Sequence, residues 1–599
     1  MSKRAYYSSN IPSFVKQSPK EILGDIQDMH SQDIVQLQTN AWKGQIEILQ
    51  QELSALTNGT DKYHAQDLRQ VHDYALDLSY FHEGSHNQVT IPVLVATEAE
   101  EVSIELLKSK DMKHNPALDY KKWIESSYKP TPTIIEAAQA LYADHEVEDI
   151  SRNDAGAMNL NITSNKIKEI IHYSNINNRR SICFVTGVPG AGKTLVGLNI
   201  ATSNANPIDD EYSVFLSGNG PLVEVLREAL VRDEVSRKES KTKSEAKSKV
   251  HPFIQNVHHF RDGALNEINP PLEKVAIFDE AQRAWDKHYT SKFMRQKRGQ
   301  ADFNQSEPEF LIEVMNRHKK WCVIVALIGG GQEINNGEAG LTGWFDALSE
   351  GYDDWDVYYS DKLNQREYAG GYTLELEKSQ RYMQEPSLHL GTSMRSFKAE
   401  RLSHMVHHMI HNNAIEAYEQ YQKFKNNFSV KITRNLQQAK NWVREQARGN
   451  ETKGVIASSG AIRLKPEGLF VKNKLSASNY FLNDQEDIRS CHFLEDVATE
   501  FDIQGLELDW CCVCWDSDYR YVEGQFEHWE FRGTKWNRRK KEEKRRYLEN
   551  SYRVLLTRAR QGMVIFIPDG DKNDHTRKPE FYNQTYEYLI NCGVEPLEN

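Results

Sequence analysis

Short apolar segments separated by helical patterns run through most of the chain. The first set of apolar segments comprises residues 181–186, 213–216, 275–278 and 322–328. Strands that alternate with helices predict a parallel β-sheet joined by helical crossovers. A second set, which predicts a second sheet of the same kind, comprises residues 454–457, 510–515 and 563–567.

These patterns divide the chain into three predicted regions. Residues 1–150 carry mostly helical patterns and one strand, residues 151–365 hold the first alternating set, and residues 366–599 hold the second. A chain of 599 residues is too long for a single hydrophobic core. The fold class expected is therefore α/β, with two parallel-sheet lobes behind an N-terminal α/β accessory domain.

A glycine-rich loop follows the first apolar strand. Gly187, Gly192, Lys193 and Thr194 match the pattern G-x-x-x-x-G-K-[ST], between a strand and a helical pattern. Backbone N–H groups in such a loop surround phosphates, the lysine reaches the β- and γ-phosphates, and the hydroxyl holds Mg²⁺. The residues expected to bind ATP here are Gly187, Val188, Pro189, Gly190, Ala191, Gly192, Lys193, Thr194 and Leu195.

Two carboxylates end the strand pattern at residues 275–279. Asp279 is expected to hold Mg²⁺ together with Thr194, and Glu280 to act as general base toward the attacking water. Gln282 and Arg283 extend the match to D-E-A-Q-R, which is far more specific than two acids alone. The predicted chemistry is hydrolysis of ATP.

These motifs resemble superfamily 1 helicases and, within them, the Schlafen-type (group 3-like) DNA/RNA helicase family, over about residues 160–570. The resemblance implies two RecA-like P-loop NTPase lobes. Residues 215–222 and 255–261 are similar to motifs that touch the nucleic-acid backbone. Residues 328–334 resemble the motif whose Gln332 senses the γ-phosphate.

The second lobe carries three further segments similar to motifs of this family. They imply that Arg395 and Arg558 reach the nucleotide when the lobes close, and that Thr499 contacts nucleic acid. Arginine suits that role because its planar fork stays charged and grips phosphate oxygens. The residues implied to couple the nucleotide to this lobe are Gln504, Gly505 and Glu507.

The expected partner is single-stranded or partly duplex nucleic acid, with DNA favoured over RNA. Phe260, Trp285 and Trp344 are candidates for base stacking, although an aromatic residue more often packs in a core. The strongly basic segment 532–546 is either a solvated face or a nucleic-acid contact, and the polar segment 232–249 either a loop or a solvated helix end.

Residues 1–150 resemble a RecB-like nuclease domain of the PD-(D/E)XK class. Gln70 and Tyr74 fit its trailing element, but the acidic residues and lysine of the nuclease have no room before Gln70. Two interpretations remain open: the nuclease is lost, or its core segment is missing from the given sequence. No nuclease residue is therefore predicted.

Composition excludes some classes of protein. Hydrophobic residues make up 39% and charged residues 27%, and no apolar run approaches the roughly 20 residues that span a bilayer. No membrane partner is therefore expected. Seven cysteines lie without a paired framework, which favours a reducing, cytoplasmic setting. A protein partner or an oligomer is compatible with all of this.

The leading hypothesis is an ATP-dependent helicase or translocase that, by the family resemblance, serves bacterial genome maintenance or anti-phage defence. The first alternative is a nucleotide-gated ATPase that switches conformation without moving along a strand. The second is an ATPase that loads a nuclease effector. The sequence does not decide between translocation and unwinding.

Overall fold

The computed structural model describes a large part of the chain. The described residues are Ser18, Ser85, Trp123, 133–143, 154–188, 190–205, 209–237, 239–265, 267–300, 302–329, 340–365, Tyr368, 381–391, 397–425, 428–447 and 451–598. The chain divides into two compact units, and the smaller comprises residues 1–132, 150–153 and 448–450. In it, the Trp123 indole Nε1 donates to Ser85 Oγ at 2.8 Å. Gln70 and Tyr74 lie outside the described residues.

The larger unit contains both predicted sheets. Its strands are β1 Arg180–Gly187, β2 Ser213–Ser217, β3 Ile254–Asn256, β4 Val275–Asp279, β5 Cys322–Gly329, β6 Asp356–Tyr359, β7 Tyr382–Gln384, β8 His389–Leu390, β9 Ser429–Thr433, β10 Lys453–Ala457, β11 Val497–Thr499, β12 Leu508–Cys514, β13 Tyr519–Val522, β14 Gln525–Arg532, β15 Lys535–Arg538, β16 Ala559–Phe566 and β17 Glu595–Pro596.

The helices lie between these strands, as the alternating pattern predicts. They are α1 Ile134–Tyr142, α2 Asp154–Ile176, α3 Lys193–Ser203, α4 Gly220–Ser236, α5 Lys243–Val250, α6 Val257–Leu265, α7 Lys287–Arg298, α8 Glu307–Asn316, α9 Thr342–Gly351, α10 Phe397–Ile410, α11 Ala414–Gln422, α12 Leu436–Gln446, α13 Ala477–Leu482, α14 Glu500–Ile503, α15 Glu542–Leu556 and α16 Glu580–Asn591. No helix of the described residues is long and apolar enough to cross a membrane.

The first sheet has the strand order β3-β2-β4-β5-β1-β6-β7, and β8 also pairs with β1. All these pairings are parallel, and β1, β4 and β5 are apolar because helices cover both of their faces. Strands β7 and β8 follow residue 365 and still belong to this sheet. The first sheet therefore extends past the predicted end of the first lobe, because short strands such as β8 carry no apolar run of their own.

The second sheet has the order β11-β10-β12-β16-β9-β17 and is also parallel. Its central strand β12 holds Cys511, Cys512 and Cys514, all buried in the core. A separate antiparallel sheet, β13-β14-β15, follows β12 directly. The α/β class with two sheets of parallel strands is thus confirmed.

The polar segment 232–249 is largely helical rather than a loop. It forms the end of α4 and most of α5, and Ala246 and Val250 anchor α5 by burial. Lys249 Nζ lies 2.5 Å from Glu234 on α4, and Lys243 Nζ lies 2.6 Å from Glu228. These ion pairs stabilise the two helices against each other, which the periodicity of the segment alone does not reveal.

Candidate functional site

The glycine-rich loop connects β1 to α3 at the carboxyl edge of the first sheet. Gly190 (φ 77°) and Gly192 (φ 84°) adopt left-handed backbone conformations that favour glycine. A Cβ on Gly187 would lie 2.8 Å from Leu390 Cβ, because β8 pairs with the end of β1. The loop is therefore shaped by glycine at three of its positions, and Pro189 lies outside the described residues.

Lys193 stands at the start of α3 and folds over the loop. Its Nζ donates to the carbonyl oxygens of Gly187 at 2.7 Å and Val188 at 3.2 Å. Ala191 and Leu195 are buried, so any contact they make with a phosphate would use their backbone N–H groups. The loop thus brings an ammonium group and a helix N-terminus to one place, which suits an anion.

The two predicted metal ligands lie together. Thr194 Oγ1 donates to Asp279 Oδ1 at 3.2 Å, which joins the start of α3 to the end of β4. Burial and the neighbouring Glu280 carboxylate raise the pKa of Asp279 to about 7. A carboxylate destabilised in this way is suited to bind a cation. Hydroxyl and carboxylate oxygens form the hard donor set that Mg²⁺ prefers, so these residues fit that ion.

Glu280 follows β4 with a left-handed backbone, at φ 54° and ψ 48°. Gln282 Nε2 donates to the Glu280 carboxylate, and Gln282 Oε1 accepts from the backbone N–H of Gly329 at 3.0 Å. A Cβ on Gly329 would lie 2.9 Å from Glu280 Oε2. Strained non-glycine residues of this kind concentrate at functional sites.

Gln282 thus ties the acidic residue to the end of β5. Gln332, three residues further along than Gly329, lies outside the described residues, as does Arg395. Their roles stay predictions.

Gln504, from the lobe of the second sheet, contacts residues of the first lobe, one of which is near Glu280 in the chain. Arg283 Nη1 donates to Gln504 Oε1 at 2.6 Å, and Asn219 Nδ2 donates to the Gln504 carbonyl at 2.5 Å. Gly505 has φ 77°, and a Cβ there would lie 3.2 Å from Leu222. Within the described part of the chain, the buried Gln504 Nε2 has no hydrogen-bond partner. It is a buried donor beside Arg283, three residues after Glu280 in the chain.

Glu507 and Arg558 lie further into the second lobe. Arg560 Nε lies 3.9 Å from Glu507 Oε2, and Arg560 Nη1 lies 3.4 Å from Asp509. Arg558 is buried, and its Nε donates to the carbonyl of Val554 at 3.2 Å. This bond lies within the second lobe, so the arginine-finger role of Arg558 stays a prediction.

Two of the three aromatic candidates for base stacking are core residues. Trp344 is fully buried, donates its indole Nε1 to the carbonyl of Ala281 at 2.9 Å, and packs edge-on against Phe278. Phe260 lies in the same hydrophobic cluster. For Trp344 and Phe260 the core-packing alternative is confirmed, because both side chains fill the space between the sheet and its helices.

Trp285 is half-buried in an aromatic cluster. Its ring centroid lies 4.5 Å from that of His258, 4.9 Å from Tyr289 and 5.1 Å from Phe293. The Arg261 guanidinium lies 5.3 Å from the same ring. This cluster stands beside α6, at the segment expected to touch the nucleic-acid backbone.

A groove of about 670 Å³ opens beside the cluster. Its lining includes Asn256, His258, Lys247 and Arg298 from the first lobe and Ser478 from the second. It lies where the two segments expected to contact nucleic acid meet, near residues 220 and 256. Thr499, in the second lobe, is the N-cap of α14, and its Oγ1 donates to the Asp502 carboxylate at 2.7 Å.

Direct contacts between the two lobes were not foreseen from sequence. Glu224 Oε1 on α4 accepts from Ser478 Oγ at 2.7 Å and Ser476 Oγ at 3.1 Å. Arg232 Nη1, also on α4, donates to the Leu482 carbonyl at 2.6 Å, and its Nη2 to Asn483 Oδ1 at 2.8 Å. These bonds join residues about 250 positions apart in the chain, so no local sequence pattern predicts them.

Comparison with known proteins gives one family and one named structural likeness. A family model described as "Schlafen group 3, DNA/RNA helicase domain" matches residues 180–569. No curated protein matches the chain. Among 51 matching chains of solved structure is the crystal structure of the Pyrococcus furiosus Hef helicase domain, 12% identical, covering 68% of this chain and 96% of that one. Its TM-score of 0.25 is too low to support an inference.

Proposed function

The chain belongs to the Schlafen group 3, DNA/RNA helicase domain family, and from that premise we propose that it is an ATP-dependent nucleic-acid motor of superfamily 1. The observation that carries the proposal is the single cluster at the carboxyl edge of the first sheet. There Lys193 and Thr194 begin α3, and Asp279 and Glu280 stand at the end of β4, more than 80 residues later in the chain. A cation-binding pair beside a glycine loop is the arrangement that phosphoryl transfer requires.

Each side chain has a proposed role in ATP hydrolysis. Lys193 leaves the loop carbonyls and pairs with the β- and γ-phosphates, while Glu280 accepts the proton of the attacking water. Thr194 and Asp279 hold Mg²⁺, which when bound neutralises charge on the phosphate oxygens. The glycine loop from Gly187 to Leu195 surrounds the phosphates with backbone donors.

The second lobe completes the site in this proposal. Gln504 and Gly505 already lie against Arg283, Asn219 and Leu222, so nucleotide-dependent changes near Glu280 reach the second lobe through them. Glu507, Gln332, Arg395 and Arg558 are proposed to act with them in sensing the γ-phosphate and stabilising its transfer. An arginine supplied in this way is worth about 10³–10⁵ in rate.

The proposed substrate is nucleic acid gripped across the two lobes, with DNA favoured over RNA. The groove lined by His258, Lys247 and Arg298 supports this, because it joins cations and aromatic rings on one surface. Residues 151–365, extended to β8, are proposed as the first RecA-like lobe and the rest as the second. A cytoplasmic role in bacterial genome maintenance or anti-phage defence rests on the family resemblance alone.

The decisive experiment measures ATP turnover with no nucleic acid, with single-stranded DNA, with single-stranded RNA and with duplex DNA. A motor predicts strong stimulation by at least one of them. Turnover that no nucleic acid changes would instead favour a nucleotide-gated switch. Metal-dependent cutting of the DNA would favour a nuclease effector that the ATPase loads.

A further inference from the structure

The antiparallel sheet β13-β14-β15, the loop that follows it and the first turn of α15 belong to the second lobe and are here called the basic wing (residues 519–546). Its sheet is inserted between the central strand β12 and helix α15. Two hairpins build it, and the first turns at Glu523 (φ 48°) and Gly524 (φ 92°). Two successive left-handed residues are typical of the tight turns that match strand twist.

The wing carries a charge opposite to that of the whole chain. Residues 532–546 contain nine Lys and Arg but only two Glu, which gives a net charge of +7, whereas the chain has a net charge of −12. Arg532 and Arg538 pair with Glu530 and Glu527. Five exposed cations of the segment have no carboxylate partner among the described residues. Arg545 donates to the carbonyl oxygens of Arg539 and Lys540, and the other four are Lys535, Lys540, Lys541 and Arg546.

The sheet of the wing is anchored to the lobe through Arg520 and Trp536, so the fold sets where the backbone of these cations lies. The buried Arg520 guanidinium lies 4.5 Å from the Trp529 ring, 5.1 Å from Trp536 and 4.1 Å from Phe581 on α16. Trp536 Nε1 donates to the carbonyl of Thr576 at 2.8 Å. Cation–π contacts are strongest when the arginine is desolvated, so these contacts hold the sheet against α16. Because the backbone is anchored, binding an anionic surface costs these cations side-chain freedom but no ordering of a loop.

The base of the wing touches the loop that follows β10. Ser458 Oγ donates to Asp518 Oδ2 at 2.8 Å, and a Cβ on Gly460 would lie 3.5 Å from Arg539 Nη2. Ser459 in the same loop donates from its N–H and its Oγ, both at 2.7 Å, to Glu500, the residue after Thr499. The wing therefore stands at the same sheet edge as Thr499, the predicted nucleic-acid contact of this lobe.

We propose that the basic wing binds the phosphate backbone of nucleic acid, as a contact additional to the groove between the lobes. The inference rests on the proposed function, because the wing can contact nucleic acid only if the protein holds a nucleic-acid strand at that edge of the sheet. Lys535, Lys540, Lys541 and Arg546 supply the charge. The half-buried rings of Phe531 and Trp536 lie 5.2 Å apart beside them and add an aromatic surface, which a nucleic acid uses better than an acidic peptide does.

The test replaces all four cations by glutamine in the full chain (Lys535→Gln, Lys540→Gln, Lys541→Gln, Arg546→Gln). The matched control also removes four exposed cations: Lys319→Gln, Lys320→Gln, Lys423→Gln and Lys425→Gln. These precede β5 and β9 and so lie at the amino edges of the two sheets. Thermal unfolding verifies that both variants fold.

Binding of oligothymidylate, oligouridylate and a duplex of the same length is measured between 50 and 200 mM salt. Each lost phosphate contact lowers the magnitude of the slope of log K against log salt by roughly 0.7–0.9, so the loss of four contacts should lower it by about 3–4. At the lower salt concentration the wing variant should bind at least about tenfold more weakly, while the control keeps the wild-type slope. The three probes show whether the wing takes single strands, duplex or both.

Equal affinity and slope for the wing variant and the wild type would overturn the inference and leave the proposed function standing. If the wild-type protein binds none of the three probes, the proposed function fails and the inference fails with it. Binding of polyglutamate is measured as well, with the wild type and with the wing variant. Binding to it as tightly as to the oligonucleotides, lost in the wing variant, would assign the wing to an acidic protein segment and overturn the nucleic-acid assignment.

Discussion

Asp279 and Glu280 stand at the carboxyl edge of the first sheet, and Asp516 and Asp518 stand at the same edge of the second. Burial and a neighbouring carboxylate raise the pKa of Asp279 to about 7, and the same two causes raise the pKa of Asp516 to about 7. By burial and pKa, the two edges are alike. Their hydrogen-bond partners differ.

In the second sheet the protein itself satisfies the acids. Asp516 accepts from the backbone N–H of Arg463 at 3.0 Å and from Tyr582 OH at 3.1 Å, and Asp518 accepts from Tyr552 OH at 2.6 Å. In the first sheet Asp279 faces the Thr194 hydroxyl beside a glycine loop. A raised pKa at a sheet edge therefore does not identify a catalytic acid. The first edge differs because the Asp279 carboxylate is placed to bind a cation, next to the backbone N–H groups and Lys193 that suit an anion.

The largest expected effect is on ATP turnover, which should depend on the acids of the first sheet edge and not on those of the second. Lys193→Ala and Glu280→Gln should each lower kcat for ATP by about 10³-fold or more, because one removes phosphate charge pairing and the other the general base. Asp516→Asn, the buried acid of the second edge, should keep turnover of the same order as wild type. Steady-state ATPase assays measure all three. Turnover that survives either first-edge substitution would refute the site.

The next effect compares two crowded glycines. In Gly187→Ala the new methyl group would lie 2.8 Å from Leu390 Cβ, and in Gly460→Ala it would lie 2.6 Å from Asp518 Oδ2. Each should destabilise the fold by about 1–3 kcal/mol. Only Gly187→Ala should raise the KM for ATP, by about tenfold, or 1.4 kcal/mol. Urea unfolding and ATP titration separate the two effects, and a raised KM in Gly460→Ala would contradict the comparison.

A third effect concerns pH. The pKa of Asp516 is higher in the folded state than in the unfolded chain, so the folded state binds this proton more tightly. Its stabilising contribution is therefore present at low pH and is lost as pH rises through about 7. Asp516→Asn should reduce the fall in unfolding free energy between pH 5 and 8 by about 1–2 kcal/mol.

Urea titrations at several pH values test this expectation. Asp569→Asn is the matched control, because Asp569 is an exposed acid of the same lobe, with 79% of its side chain accessible. A pH profile of Asp516→Asn that coincides with that of the control would contradict the prediction.

The smallest effect tests the bonds between the lobes. Arg232→Ala removes two donors to residues 482 and 483, and because Arg232 is exposed the loss of stability should stay below about 1 kcal/mol. The matched control is Arg444→Ala, which removes a bond to Phe493 within the second lobe. Calorimetry should give similar small shifts for both. Only Arg232→Ala should change the stimulation of ATP turnover by nucleic acid.

The sequence predicted the parts of the site that are local in the chain. Lys193 and Thr194 follow a strand directly, and Asp279 and Glu280 end one, so strand–loop patterns suffice to place them at one sheet edge. Their convergence, seen in the Thr194–Asp279 hydrogen bond, follows from the parallel topology. The α/β class followed from the same alternation of apolar segments.

Other features depend on partners distant in sequence. Strand β8 is only two residues long and pairs with β1 about 200 positions earlier, so no apolar pattern marks it. The sequence left open whether Trp344 stacks on a base or packs in the core, because an aromatic residue carries no local sign of whether it is covered. The basic wing is anchored partly by the contact of Arg520 with Phe581, which lies some 40 residues after the wing in the chain.

The junction at Gln504 has a thermodynamic consequence. Arg283, three residues after the proposed general base, and Asn219, at the segment proposed for strand contact, both donate to this one glutamine. Under the proposed function, occupancy of one ligand then biases the other, and linkage makes the bias reciprocal. If nucleic acid tightens ATP binding by some factor, ATP must tighten nucleic-acid binding by that same factor. Two independent titrations would have to agree, and Gln504→Ala should lower both factors together.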